Sequence, residues 1–172
     1  IRPVQLGDEI ELNQAINHSL VLLQKWQAWA KNPSIGATSD FVQRGVFGWQ
    51  SGYITDFPMV MIHKQDQKII GASGYNDRSD IYHGLYETGY WCDVDYQGHG
   101  LVTECANALT RYACGALNAS KVILSIQMNN KKSIAVAERL NFMSEGQTHR
   151  DPLSPTSKNP KGHNIYSAKN TH

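Results

Sequence analysis

Three groups of residues between positions 86 and 143 have the types and spacing to do chemistry. The first is Gln97-Gly98-His99-Gly100-Leu101-Val102-Thr103-Glu104. Closely spaced glycines let a backbone turn tightly and aim several N–H groups one way. A helical run, Leu101 to Leu117, leaves this loop. Its unpaired first-turn amides and the positive end of its dipole add to the same spot. Such a concave set of donors suits phosphate or pyrophosphate. The second group is a single carboxylate, Glu87, on the strand-like run that feeds the loop. Alternation puts Glu87, Gly89 and Trp91 on one face. In a partly dry cleft the pKa of a carboxylate rises, which suits it to take a proton directly or through water. The third is Asn130 with Ser133, three residues apart at the start of a short helix. Both can cap that helix or bond a ligand.

Two other glycine-loop chemistries do not fit. A P-loop needs Gly-Lys-Ser/Thr after its spacer, and none is present. The dinucleotide fingerprint needs a third glycine at fixed spacing, which is missing.

The spacing resembles the acetyl-CoA pyrophosphate loop of the GNAT N-acetyltransferases. Their pattern, Gln/Arg-x-x-Gly-x-Gly/Ala, is met by Gln97, Gly100 and, with a larger side chain, Val102. Their Asn-x-x-Ala/Ser element, followed by a short helix ending near Gly-Phe, is similar to Asn130-Lys131-Lys132-Ser133 and Ala137-Glu138-Arg139-Leu140-Asn141-Phe142. The run Glu87-Thr88-Gly89-Tyr90-Trp91, the serine form of the Asn element and the opening Ile1-Arg2-Pro3 resemble the ribosomal-protein N-acetyltransferase branch, RimJ/RimL-like. The resemblance implies a mixed α/β fold whose largely antiparallel sheet splays between its fourth and fifth strands, flanked by helices. It implies direct transfer of an acetyl group from acetyl-CoA to an amine.

It also implies a set of cofactor contacts. These are Cys92, Asp93 and Val94 entering the loop, Gln97, Gly98, His99 and Gly100 within it, and Leu101, Val102 and Thr103 leaving it. Asn130 would bond the pantetheine amides, and Ser133 the leaving thiolate or the pantetheine arm. Many relatives carry a glutamate two residues before Gly-Tyr-Trp, which makes Glu87 the general-base candidate; Glu87 and Ser133 are the catalytic pair. Trp26, Trp29 and Tyr75, with Tyr53, are aromatic candidates for the acceptor cleft, against the alternative that they are core. Asp151 is an acidic candidate to meet the acceptor amine. Three residues depart from the pattern. Val102 crowds the loop, Ala137 occupies the slot where many relatives carry an acid tyrosine, and Asn141 replaces a glycine.

The chemistry constrains the acceptor. A thiol with pKa near ~8.5 leaves without much help, so the amine is the harder partner. A lysine at ~10.4 is almost wholly protonated at neutral pH, while an α-amine at ~7.7–8.0 is partly free. Weak acid–base equipment therefore fits an α-amine better than a lysine, and the resemblance implies the N terminus of a ribosomal protein as the expected acceptor. The alternatives are a small amine (a polyamine, an antibiotic or an amino-acid conjugate) and a CoA-binding module without catalysis.

The elements that must position these groups follow from periodicity. A short strand over Ile1 to Gln5 leads to a helix with Asp8 as N-cap. A second apolar helical set spans Leu22 to Ala30, and a third helix is capped by Ser39 or Asp40. Phe57 to His63 and Lys68 to Tyr75 read as a hairpin. Leu85 to Val94 reads as one strand. Leu101, Cys105, Leu109 and Tyr112 share the face of the next helix, and Lys121 to Met128 is a continuously buried strand. Lys132 to Leu140 is a short helix and Phe142 to Glu145 a strand. Thr148 to Gly162 is an exposed loop, and Asn164 to Ala168 a last strand.

A chain of 172 residues is read as one domain, 1–172. A net charge of +1 makes no field that would draw nucleic acid or an acidic membrane. No apolar run reaches the ~18 residues of a spanning helix and no signal peptide is evident, so a cytoplasmic protein is expected, with a homodimer left open. Three cysteines form no paired framework, and seven scattered histidines give no metal-ligand spacing. Acetyl-CoA is the expected co-substrate, without a metal.

Overall fold

The computed structural model describes residues 1–52, 56–151 and 154–169, with backbone alone at 149–151 and 154–161. Tyr53 lies outside the described residues, and so does the side chain of Asp151. The chain runs β1 (Arg2–Pro3), α1 (Glu9–His18), α2 (Leu20–Trp26), a 3-10 turn at Ala28–Lys31, α3 (Ile35–Ser51), β2 (Phe57–His63) and β3 (Lys68–Tyr75). It continues through β4 (Leu85–Thr88), β5 (Trp91–Cys92), α4 (Leu101–Ala116), β6 (Lys121–Gln127), α5 (Lys131–Arg139), β7 (Met143–Asp151) and β8 (Ser154–Lys169). The strands form one open sheet in the order β1-β2-β3-β4-β6-β8-β7, with β5 paired to β3. All pairs are antiparallel except β4 with β6. This is the mixed α/β sheet expected from the resemblance.

Alternation along the β2–β3 hairpin divides the core between two sheet faces. Met59 and Met61 join Cys105, Leu109 and Val122 in one cluster; Val60 joins Leu12, Ile16 and Val42 in the other. Both strands have the bounds their sequence pattern predicts.

Several expectations are corrected. Leu85–Val94 is not one strand but two pieces broken at Gly89–Tyr90. Side-chain hydroxyls hold the break: Thr88 Oγ1 donates to Gly74 O at 2.8 Å and Ser73 Oγ to Gly89 O at 2.7 Å. The N-cap of α3 is Ser34, whose Oγ accepts from Ala37 N at 3.1 Å, not Ser39 or Asp40. The exposed Ile35 in the first turn carries no buried pattern to reveal that start. Asp8 precedes α1 but its side chain does not cap it. Arg2 engages both carboxylate oxygens at 2.7 Å and the Gln5 amide donates at 2.8 Å. Burial pushes the Asp8 carboxyl up, but these donors outweigh it and hold it below its usual value.

On α4 the buried side chains are Cys105, Ala106, Leu109 and Ala113, while Tyr112 is exposed. Strand β6 alternates buried and half-buried positions instead of being buried throughout. Of Thr148–Gly162, expected as a loop, residues 148–151 and 154–162 belong to the β7–β8 hairpin. Gly45 and Gly48 do not interrupt α3. A Cβ on Gly45 would lie 2.4 Å from Pro58 Cγ and 2.6 Å from Val4 Cγ2, so its role is close packing against β1 and β2.

Candidate active site

The cleft begins where the sheet parts. Strands β4 and β6 pair over Leu85–Lys121 to Thr88–Leu124. Beyond that rung β5 stays with β3 through Gly71–Cys92 and Ala72–Trp91, while β6 stays with β8. Gly71 permits this, since a Cβ there would sit 2.2 Å from Trp91 O. The wedge between the diverging strands opens into a cavity of about 700 Å³.

The glycine loop forms one wall of this cavity. Gly98 has φ +85° and Gly100, the N-cap of α4, φ +79°. A Cβ at either would meet nothing within 4 Å, so conformation alone demands glycine. The first intrahelical bond of α4 runs from Glu104 N to Gly100 O at 3.0 Å. The amides of Leu101, Val102 and Thr103 come before it, as first-turn donors beside the cavity. Gln97 fixes the loop to the strand: its Nε2 donates to Cys92 O at 3.2 Å, and its Oε1 accepts from Lys132 Nζ at 3.2 Å. Val102 fits the wall by packing its side chain against the core.

A second cavity of about 180 Å³ lies on the other side of the parted strands. Trp26, Gln27, Tyr90, Asn130 and Ser133 line both cavities and so form the neck between them. Asn130 caps α5 by accepting from Ser133 N at 3.3 Å, so helix capping and a place in the neck coexist. The Tyr90 hydroxyl donates to Ser133 O at 3.3 Å, and burial pushes its pKa up to about 12, so it stays protonated. The roof comes from α2 and the residue after it. It is tied to β6 by Gln127 Nε2 donating to Trp26 O at 2.8 Å.

The remaining expected site residues divide. Gln97, Gly98, Gly100, Leu101, Val102, Thr103 and Cys92 line the larger cavity; His99 is exposed, and neither it, Asp93 nor Val94 is in the wall. Asp93 is buried and receives the His18 ring, with Nδ1 3.0 Å from both carboxylate oxygens. His18, Asp93 and Asp95 lie within 4.8 Å of one another, a trio held by these contacts and by Asp95 N donating to Asp93. Burial first, then Asp93, pushes the Cys92 thiol up to about 11, which keeps it a thiol.

Glu87 is mostly buried and is in the wall of neither cavity. Arg78, which lines the smaller cavity, holds it: Nε donates to Oε1 at 2.6 Å, and Nη2 contacts the same oxygen. Tyr75 is a core residue instead of an acceptor contact. It is 2% exposed, its hydroxyl donates to Leu109 O at 2.7 Å, and its ring packs edge-on against Tyr86. Trp29 packs on Trp91 at 6.2 Å and is in neither wall, whereas Trp26 is in both.

The sequence profile of the acetyltransferase (GNAT) domain matches residues 1–143. The chain belongs to the GNAT acetyltransferases. YdaF of Bacillus subtilis (strain 168), a candidate ribosomal N-acetyltransferase, is 29% identical over 89% of this chain and 81% of its own length. The ribosomal-protein-serine acetyltransferase of Escherichia coli (strain K12) is 31% identical over 63% of this chain and 58% of its own. The crystal structure of the microcin C7 self-immunity acetyltransferase MccE, in complex with acetyl-CoA and AMP, superposes with a TM-score of 0.83. It is 26% identical, covering 98% of this chain and 90% of that one.

As a GNAT acetyltransferase the protein uses acetyl-CoA, and the larger cavity has the parts to hold it. Loop amides and the α4 terminus suit a pyrophosphate, and Asn130 stands at the neck. Sequence reasoning passed over Tyr90, Gln27, Arg78, Lys132 and Arg139. The last two had a signal: they are seven apart in a helix, on the face that also carries Ala135 and Val136 into the cavity.

Proposed function

We propose that this enzyme acetylates the α-amino group of a protein N terminus that begins with a small, uncharged residue, a ribosomal protein being the natural candidate. The carrying observation is the smaller cavity. Its described lining contains Arg78, Ser125, Gln127 and His163 but no carboxylate, and at about 180 Å³ it is small for a ligand site. A polyamine would bring several ammonium groups to a wall whose neighbouring carboxylate, Glu87, is already paired with Arg78. One small N-terminal residue fits, with the rest of the peptide outside. The two relatives named for ribosomal acetylation support the same reading.

In this mechanism the neutral amine attacks the thioester carbonyl at the neck. The C–N bond forms, the C–S bond breaks, and the thiolate leaves with the electron pair. Glu87 receives the amine proton through water, oriented by Arg78, while the Ser133 hydroxyl faces the sulfur. An α-amine with pKa near ~8 needs only modest help of this kind. The site of action is then the cytoplasm; among the described residues no helix is long and apolar enough to cross a membrane.

The test is a panel of Ser-, Ala- and Gly-initiated peptides, the same peptides N-terminally blocked, and polyamines, read by acetyl-CoA-dependent thiol release. Turnover of free peptides alone is expected. Faster turnover of a polyamine than of any peptide would overturn the reading.

A further inference from the structure

The loop amides and the α4 dipole are uncharged donors, suited to a pyrophosphate diester. Coenzyme A carries one more phosphate, the 3′-monoester on its ribose. A phosphomonoester is close to a dianion at neutral pH, its second pKa being about 6. A dianion calls for a formal positive charge in addition to amide donors.

Helix α5 offers two such charges on its cavity face. Lys132 sits at its start, one residue from Ser133 at the neck, and bonds Gln97 where the glycine loop begins. Arg139 is the last residue of α5, and its Nη1 donates to Thr103 Oγ1 at 3.0 Å, in the first turn of α4. Seven residues of helix place these cations roughly 10 Å apart along the axis. Arg139 is therefore the farther of the two from the neck. A chain-like cofactor with its thioester at the neck presents its nucleotide end last, beyond the pyrophosphate. Arg139 also has the suitable head group: a planar fork of donors that grips terminal phosphate oxygens in pairs. It is exposed and bonded here by a neutral hydroxyl, so its charge is available to a ligand.

The structure assigns Arg139 to the 3′-phosphate of coenzyme A, making α5 the element that selects the 3′-phosphorylated cofactor over its dephosphorylated form. The competing role for a basic residue in a last turn is to complement the helix dipole. That role touches stability and is blind to the ligand.

Calorimetric titration of CoA and 3′-dephospho-CoA into the parent and Arg139→Ala separates the two, with no acceptor needed. The parent should bind CoA about tenfold or more tightly than dephospho-CoA, and Arg139→Ala should lose that preference while keeping its dephospho-CoA affinity within about twofold. Arg139→Gln, which keeps helix propensity and a polar side chain, repeats the measurement should the alanine variant prove unstable. Lys132→Ala should weaken both ligands alike. Equal binding of the two ligands by the parent, or equal losses of both in Arg139→Ala and Arg139→Gln, overturns the assignment.

Discussion

The two cavities share a neck but are made of different material. The larger cavity offers a cofactor mainly main-chain donors: amides of a loop with two positive-φ glycines and of the α4 start. The smaller cavity, proposed above as the acceptor side, is lined by side chains brought from separate places, among them Gln27, Arg78, Ser125 and Gln127. A main-chain site demands only that a few residues tolerate their dihedrals, so it survives wide change elsewhere. A side-chain site changes with each substitution, which is how one cofactor cradle can serve many acceptors.

Substitutions can break or sharpen this contrast. The largest effect should come from Glu87→Gln, which keeps size but removes the carboxylate proposed as the base. General-base catalysis is typically worth ~10²–10⁴-fold, so kcat should fall by that order at neutral pH and recover as pH approaches the amine pKa. A loss under twofold, or one that does not vary with pH, would remove Glu87 from the chemistry. Next is Gly100→Val, which forces a β-branched residue into φ +79°. Strain of this kind costs about 1–3 kcal/mol and should distort the amide cradle. Saturating CoA at a hundredfold excess over Kd should stabilise the parent by about 2.7 kcal/mol, and the variant should lose most of that gain. An undiminished CoA-induced rise in Tm would show that the cradle does not depend on the turn.

Arg78→Ala should act on the acceptor side alone, raising KM for a peptide and lowering kcat by about tenfold, with CoA affinity unchanged. A matching loss of CoA affinity would contradict the division. The smallest effect concerns the His18–Asp93 contact beside β5. Hydrogen bonding to Asp93, then the fields of Asp93 and Asp95, raise the His18 pKa above its usual value. The stabilisation is therefore full below about pH 6.5 and is lost as pH rises through the raised value. Melting temperatures of the parent and His18→Gln should differ at pH 6 and converge by pH 8. A gap that widens with pH would reverse the sign and sink the argument.

The same contrast explains what could be read from the residues. The glycine loop was legible because positive-φ turns leave glycines in the chain. The β2–β3 hairpin was so because alternation at Met59, Val60 and Met61 is local. Tyr90 and Arg78 were passed over because their partners, Ser133 and Glu87, are 43 and 9 residues away in sequence, and no periodicity links them. Tyr75 and Trp26 are both aromatic, yet one is core and one forms the neck; composition cannot separate them, only the point where the sheet parts. The Ser34 cap lay hidden because Ile35 faces outward. The stretch 148–162, rich in Pro, Ser and Lys, read as a loop because the strand state of 148–151 and 154–162 comes from pairing across the β7–β8 hairpin.

The parted sheet has a colloidal consequence. Past Thr88 and Leu124, β5 and β6 are each paired on their outer sides, β5 with β3 and β6 with β8, and their inner edges face one another across the wedge. A strand edge is a template for another strand, and proteins usually blunt such edges with charge, proline or a covering element. Here the cover is the α2 roof, fastened to β6 through Gln127, and whatever fills the wedge. A cofactor bound in the wedge would then plug it against self-association as well as donate acetyl groups. The empty enzyme should shed soluble protein on storage or mild heating faster than the loaded one, even under conditions where both remain folded.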